Sequence, residues 1–136
     1  MNKVLSMIEV NSSSEAFHLL KSKFNPFSEE VWVISLDTQL HLISLDMVFR
    51  GTANACLIHP RDIFRTLILN NACSFILAHN HPSKSVLPSP EDLTITRKIQ
   101  QLSKVFEIKM NDHIIFTDHI YFSLADSGLF KIKPKK

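Results

Sequence analysis

The sequence has 136 residues, 45% of them hydrophobic and 21% charged, which suits one compact domain with one core and excludes a disordered or low-complexity chain. Fifteen Lys and Arg against thirteen Asp and Glu leave a formal charge of +2, too weak a field for strong nucleic-acid binding by the molecule as a whole. The first ten residues are interrupted by Asn2, Ser6 and Glu9, so they form neither a signal-peptide core nor a membrane span, and a cytoplasmic location is expected.

In chain order, Ser12-Ser13-Ser14-Glu15 supplies an N-cap, and Ala16, Leu19, Leu20 and Phe24 recur at helical spacing, which predicts a helix over residues 15–23, ended by Asn25-Pro26. The apolar, β-branched runs 31–36 and 40–45 flank Asp37-Thr38-Gln39 and read as a hairpin. Gly51-Thr52 marks a turn or bulge before a third strand at 53–58. Pro60 stands where a helix wants its first residue, and Ile63, Phe64, Leu67 and Ile68 make the stripe of a second helix running to about Asn70. The run 73–78 has the length of a strand buried on both faces, with His79 just beyond its carboxyl end. A polar loop over 83–88 leads into a third helix from Ser89-Pro90 through Ile95, Ile99, Leu102 and Phe106. Residues 108–110, 113–116 and 120–123 are strand-like, and Asp126-Ser127-Gly128 breaks the chain. The whole reads as α/β, a mixed sheet flanked by helices, in a single domain over 1–136 with its core at about 29–129 and a solvated basic tail at 131–136. Cys56 and Cys73, without a CxxC pair, fit reduced thiols packed in the core, and Trp32 and the ten Phe are assigned to the core as well.

His79-Asn80-His81-Pro82 carries the chemistry. On an extended segment His79 and His81 leave on the same side and can reach one ion, while Pro82 stops the ladder and fixes the turn. Asp92, in the first turn of the following helix, can fold back to the same point. Two His, one carboxylate and an open fourth position is the donor set of hydrolytic zinc, whereas structural zinc is closed by four protein ligands. A purely structural role competes: Ser89-x-x-Asp92 is also a capping box. The contiguous letters His-Asn-His carry no weight for a nuclease of that name, whose residues spread over a longer fold, and a two-metal nuclease would need an acidic cluster that the sequence lacks.

The run His79-x-His81-Pro82-x6-Ser89-x2-Asp92 resembles the signature of the JAMM (JAB/MPN) metalloproteases. The surrounding Gly51-Thr52, His59-Pro60-Arg61-Asp62, Asp112-His113 and Phe122-Ser123 to Gly128 resemble their bacterial RadC-type branch, over about residues 29–129. The resemblance implies the JAB/MPN fold, akin to the α/β/α architecture of the cytidine deaminases. It implies one zinc ion on His79, His81 and Asp92. It implies a glutamate as general base, and Glu29 and Glu30 both precede the strand concerned. The family's pattern places the acid eight residues before the Asp that ends this strand, here Asp37, which favours Glu29, and Glu29 shares strand parity with Val31 and Val33. Ser89 is implied as donor to the developing oxyanion, and the substrate as a peptide or isopeptide amide. A metal-binding but catalytically idle module, linked to DNA repair or mobile elements, is the alternative.

Two departures stand out. The RadC-type motif usually has Gly after His-Asn-His-Pro-Ser and this sequence has Lys84, which should make the loop less able to take a positive φ. Longer RadC-type proteins carry an N-terminal helix-hairpin-helix region, and the 28 residues before Glu29 are too few for it, which weakens any nucleic-acid role. Arg61 suits a salt bridge at the helix N-terminus better than a substrate carboxylate, and Asp112-His113 reads either as a pair supporting a ligand or as a structural hydrogen bond. His18, His41, His59 and His119 have no partner at ligand spacing. No membrane partner is expected, and an unpaired edge strand could support a homodimer.

Overall fold

The computed structural model describes residues 8–51 and 58–130. Eight elements follow one another: α1 (Ser13–Leu20), β1 (Glu29–Leu36), β2 (Leu42–Gly51), α2 (Pro60–Leu69), β3 (Ser74–Asn80), α3 (Pro90–Phe106), β4 (Lys109–Phe116) and β5 (Tyr121–Ser123). The strands form one mixed sheet in the order β2-β1-β3-β4-β5, with β3 at its centre. Strand β3 pairs antiparallel with β1 and parallel with β4, the latter through the right-length crossover that α3 provides.

Alternation along the strands sorts side chains onto two faces. Ile34 and Leu36 of β1, Ile76 and Ala78 of β3, and Ile114 and Phe116 of β4 pack under Ala16, Phe17 and Leu20 of α1. Val31, Val33, Phe75, Leu77 and Met110 pack on the opposite face under Ile63, Phe64 and Leu67 of α2 and Ile99 of α3. Each fully buried Leu, Ile or Phe in these layers contributes about 1.5–3 kcal/mol of transfer free energy. The helices start where their caps dictate. Ser12 Oγ accepts from Glu15 N at α1, Pro60 opens α2, and Ser89 caps α3 with Pro90 in its first turn.

Several boundaries differ from those predicted. The first helix occupies Ser13–Leu20, ahead of the predicted span, because the Ser12 cap fixes its start. Strand β2 runs on to Gly51, with irregular pairing opposite Val31/Trp32 and Ser35/Leu36 that absorbs its extra residues. The predicted strand at 53–58 lies outside the described residues apart from Ile58, as do Thr52, Cys56 and the basic tail. His79 belongs to β3 itself, since Val31 and Ile115 flank it in the sheet on either side. The two short strands predicted at 108–110 and 113–116 are one strand. In β4, Phe75 lies opposite Met110 and Ile76 opposite Asp112, so Asn111 is an extra, bulged residue. That bulge turns both Met110 and His113 toward α3.

Two core assignments are corrected. Cys73 is exposed, because it precedes β3 at the far end of the sheet, beyond the helices that cover Phe75 and Leu77. Phe27 is 91% exposed and Phe106 46%, the first on the connection into β1 and the second at the last residue of α3. Among the described residues no helix is long and apolar enough to cross a membrane.

Candidate metal centre

Antiparallel pairing sets the site. Val31 lies opposite His79, so the first residues of β1 run alongside the last of β3. Residues 29, 31 and 33 share one face of β1 and residues 75, 77 and 79 the matching face of β3. The Glu29 carboxylate therefore arrives beside the His79 imidazole, with Oε1 3.4 Å from Nε2. Glu30 faces the other way. Wholly buried, its carboxylate accepts from Asn25 N, Ser28 Oγ, Trp32 Nε1 and Arg50, whose Nη2 lies at 2.8 Å. Of the two acids weighed from the sequence, only Glu29 lines the histidine cluster.

Asp92 reaches the cluster from the first turn of α3. Its Oδ1 lies 3.5 Å from His79 Nε2 and its Oδ2 3.4 Å from His81 Nε2. Its position comes from a capping box, in which Ser89 N donates to Asp92 Oδ2 at 2.8 Å and Asp92 N donates to Ser89 Oγ at 3.1 Å. The capping box and the approach to the histidines thus coexist in the same two residues. Ser89 Oγ uses a lone pair on the cap, and among the described residues its proton has no acceptor.

Glu29, His79 and His81 form a set whose ligand atoms all lie within 4.8 Å of one another. Asp92 stands beside this trio, within reach of both histidines. Both imidazoles turn Nε2 inward. His81 Nδ1 faces the Ser85 carbonyl at 2.8 Å, which takes its proton and turns Nε2 toward Asp92 and the site. His79 is 1% exposed, and its Nε2 is the one buried side-chain polar atom without a hydrogen-bond partner among the described residues. A buried, unpartnered ring nitrogen costs about 1–3 kcal/mol, and a metal ion is the partner that this donor set fits.

The electrostatics follow the same geometry. Burial opposes ionisation of Asp92, but the hydrogen bond from His81, the neighbouring His79 imidazole and the Ser89 N–H outweigh it and hold this carboxyl well below the usual carboxylate range. The hydrogen bond to Asp92 raises His81 above the ordinary histidine value against the opposing effect of burial, with the Ser85 carbonyl adding to it. Burial and the neighbouring His79 push His113 down to about 3, so that ring is neutral.

Two residues beside the cluster, Asn80 and Thr96, had no part assigned from the sequence. Asn80, between the histidines, points to the α1 face, where its Oδ1 accepts from Glu30 N at 2.7 Å and its Nδ2 donates to Ser28 O at 2.7 Å. It ties the end of β3 to the start of β1. Thr96 Oγ1, four residues after Asp92 on the same face of α3, lies 2.6 Å from His113 Nδ1, and His113 Nε2 lies 3.3 Å from His79 Nδ1. The i, i+4 spacing from Asp92 was the available signal for Thr96. Asp112 and His113 do not pair through their side chains: the Asp112 carboxylate faces Ser123, Ala125 N and His113 N on the α1 side. Lys84 does take a positive φ, 68°, with its N–H on the His81 carbonyl, so the loop is built with a left-handed lysine where glycine is usual. Arg61 is exposed and its Nε lies 3.4 Å from Asp62 Oδ1. His41 faces Glu9 and Asp37, and His119 faces Asp118.

A cavity of about 190 Å³ opens beside His81, lined in part by Phe24, Phe27, Lys84 and Asp118. A larger one of about 490 Å³ lies at the opposite end of β3 around Cys73 and Ser103, away from this chemistry.

Among known proteins, the chain is 39% identical over 128 residues to a UPF0758 protein of Clostridium acetobutylicum, covering 93% of this chain and 56% of that protein. It is 33% identical over 126 residues to a UPF0758 protein of Clostridium perfringens, covering 92% and 56%. It is 41% identical over 108 residues to one of Actinobacillus succinogenes, covering 79% and 49%. The chain spans about half the length of these relatives. The profile of the RadC-like JAB domain matches residues 10–129, nearly the whole of the described fold, and its mixed sheet between helices is the architecture seen here. With both the match and the fold in place, the chain belongs to the RadC-like JAB domain family.

Proposed function

We propose that this domain is a zinc-dependent hydrolase of peptide or isopeptide amides. His79, His81 and Asp92 would hold the metal, the histidines through their Nε2 atoms and Asp92 through its carboxylate. The observation that carries the reading is His79 Nε2, a buried ring nitrogen with no hydrogen-bond partner among the described residues, surrounded by a second imidazole nitrogen and two carboxylates. Zinc held there would supply Lewis acidity, activating a water toward deprotonation near neutral pH and polarising a carbonyl oxygen.

The residues of the chain do the rest. Glu29, at the mouth of β1 and 8% exposed, takes the proton from the attacking water and returns it to the leaving amine. Ser89 gives its unused hydroxyl proton to the oxyanion that develops on the scissile carbonyl, a contribution of about 3 kcal/mol to the transition state. The Asn80 bridge holds the Glu29 end of β1 against β3, so base and ligands keep one geometry.

The test is metal content and turnover together. We expect about one zinc per chain in the wild type. His81→Ala and Asp92→Ala should each lose it, and Glu29→Gln should keep it while losing turnover on a panel of peptide and isopeptide substrates. Full zinc occupancy in the His81→Ala, Asp92→Ala double variant would refute the ligand set. Loss of zinc in Glu29→Gln would make Glu29 a ligand rather than the base.

A further inference from the structure

The geometry points to His113 and Thr96 as positioning residues that fix the tautomer of His79, presenting its Nε2 as a bare lone pair to the metal. This deepens the metal-site reading above and rests on it. The reasoning is a count of protons along one chain of contacts. Thr96 Oγ1 donates its single proton to the Asp92 carbonyl at 2.7 Å, the back-bond usual for a threonine inside a helix. At 2.6 Å from His113 Nδ1 the same oxygen can then only accept, so His113 carries its proton on Nδ1. The His113 ring is wholly buried and has no carboxylate in contact, since Asp112 turns to Ser123 and Ala125 on the other face, so the ring is neutral and its Nε2 is an acceptor. Across 3.3 Å, His79 Nδ1 must therefore be the donor. The proton of His79 is thereby committed to Nδ1, and Nε2, the unpartnered atom of the cluster, is left as a lone pair.

Two features make the relay possible. The bulge at Asn111 brings His113 opposite Leu77 and onto the ligand face, whereas an unbroken register would turn it toward α1. The i, i+4 spacing on α3 places Thr96 one turn behind Asp92, so one helix supplies both a candidate ligand and the group that orients the opposite one. Thr96 and His113 are 0% exposed and touch neither substrate space nor solvent, so their effect is exerted through His79.

The experiment uses the full chain and cobalt(II) alone as probe, with nitrogen-detected NMR of the imidazoles in metal-free protein. We expect His79 to carry its proton on Nδ1 in the wild type. His113→Leu removes the acceptor and should weaken cobalt(II) binding by about tenfold to a hundredfold. His113→Gln keeps a carbonyl acceptor where Nε2 stood and should stay within about threefold of wild type, a rescue that a purely space-filling role would not give. Should His113→Leu fail to fold, Thr96→Val, nearly isosteric, leaves His113 Nδ1–H unmet; a mixed His79 tautomer and several-fold weaker cobalt(II) binding are expected. A wild-type His79 protonated on Nε2, equal losses in the Leu and Gln variants, or an unaltered Thr96→Val would each overturn the relay. Wild-type protein that has the Nδ1–H tautomer but takes up no cobalt(II) would count against the metal-site reading, and protein that binds cobalt(II) with the opposite tautomer counts against the relay.

Discussion

Asp112 shows how one residue's environment is set by a strand irregularity. The bulge before it turns its side chain to the α1 face, where its carboxylate accepts from Ser123, Ala125 N and His113 N. Burial nevertheless leads, and raises its pKa above the ordinary aspartate value. A carboxyl with a raised folded pKa contributes stability that is full below the unfolded value near ~3.9 and is lost as pH rises through the folded one. Once ionised, the group is therefore a net cost. Asp112→Asn keeps an oxygen for the two backbone N–H groups, and we expect stability to decline less steeply than in wild type as pH rises from about 4 upward, and to be unchanged or higher where wild-type Asp112 is ionised. Urea denaturation across that range checks it, and a loss above about 2 kcal/mol would show that the negative charge itself is required. At this scale the sequence was informative about residue types and poor about partners. His79, His81 and Asp92 could be proposed as a set from spacing, but adjacency suggested Asp112 as the partner of His113, whereas successive strand residues face opposite sides of the sheet, and the bulge at Asn111 that decides which of the two faces the cluster leaves no trace in hydrophobic pattern.

Elements were legible where one physical signal dominated. Helices α2 and α3 begin at Pro60 and Pro90 because a proline in the first turn leaves little freedom, reinforced at α3 by the Ser89 cap, and β3 was readable as a buried run. The ends of strands were less readable. His79 and Asn80 are as polar as a loop, yet they continue β3 because β1 and β4 provide hydrogen-bond partners on both sides, a tertiary effect invisible to local propensity. Asn80 then joins two elements at their ends. Asn80→Ala leaves Glu30 N–H and the Ser28 carbonyl without their partner, and we expect a cost of about 2–3 kcal/mol, measured by denaturant midpoint. Because His79 and His81 remain on β3, the same variant should retain zinc while turnover falls, as Glu29 loses its fixed place. Retained turnover with the predicted loss of stability would confine Asn80 to a structural role. Lys84 is an opposite case, in which local preference was overridden: a lysine sits at φ 68° because the His81 carbonyl takes its N–H and Ser85 takes the His81 ring proton.

At the scale of the molecule, the class of fold was accessible from alternating helices and strands, and the strand order was not. Nothing in pattern or composition says that β1 lies between β2 and β3, and it is this order that carries Glu29 to the histidines. The family signature supplied the glutamate in advance because it encodes the tertiary result. The antiparallel contact of β1 with β3 also has a kinetic side. Val31 and His79 are distant in sequence, so the cluster closes only after a long loop is paid for in entropy, late among folding events. The single tryptophan, Trp32, lies on β1 opposite Ala78, with its indole N–H held by Glu30, and so becomes an optical reporter of that closure. In stopped-flow refolding with cobalt(II) present, the change in indole emission and the visible absorption of the metal should rise with one rate constant, after far-UV ellipticity has begun to recover. Metal absorption that precedes the indole signal would mean that His79, His81 and Asp92 assemble on β3 and α3 before β1 docks.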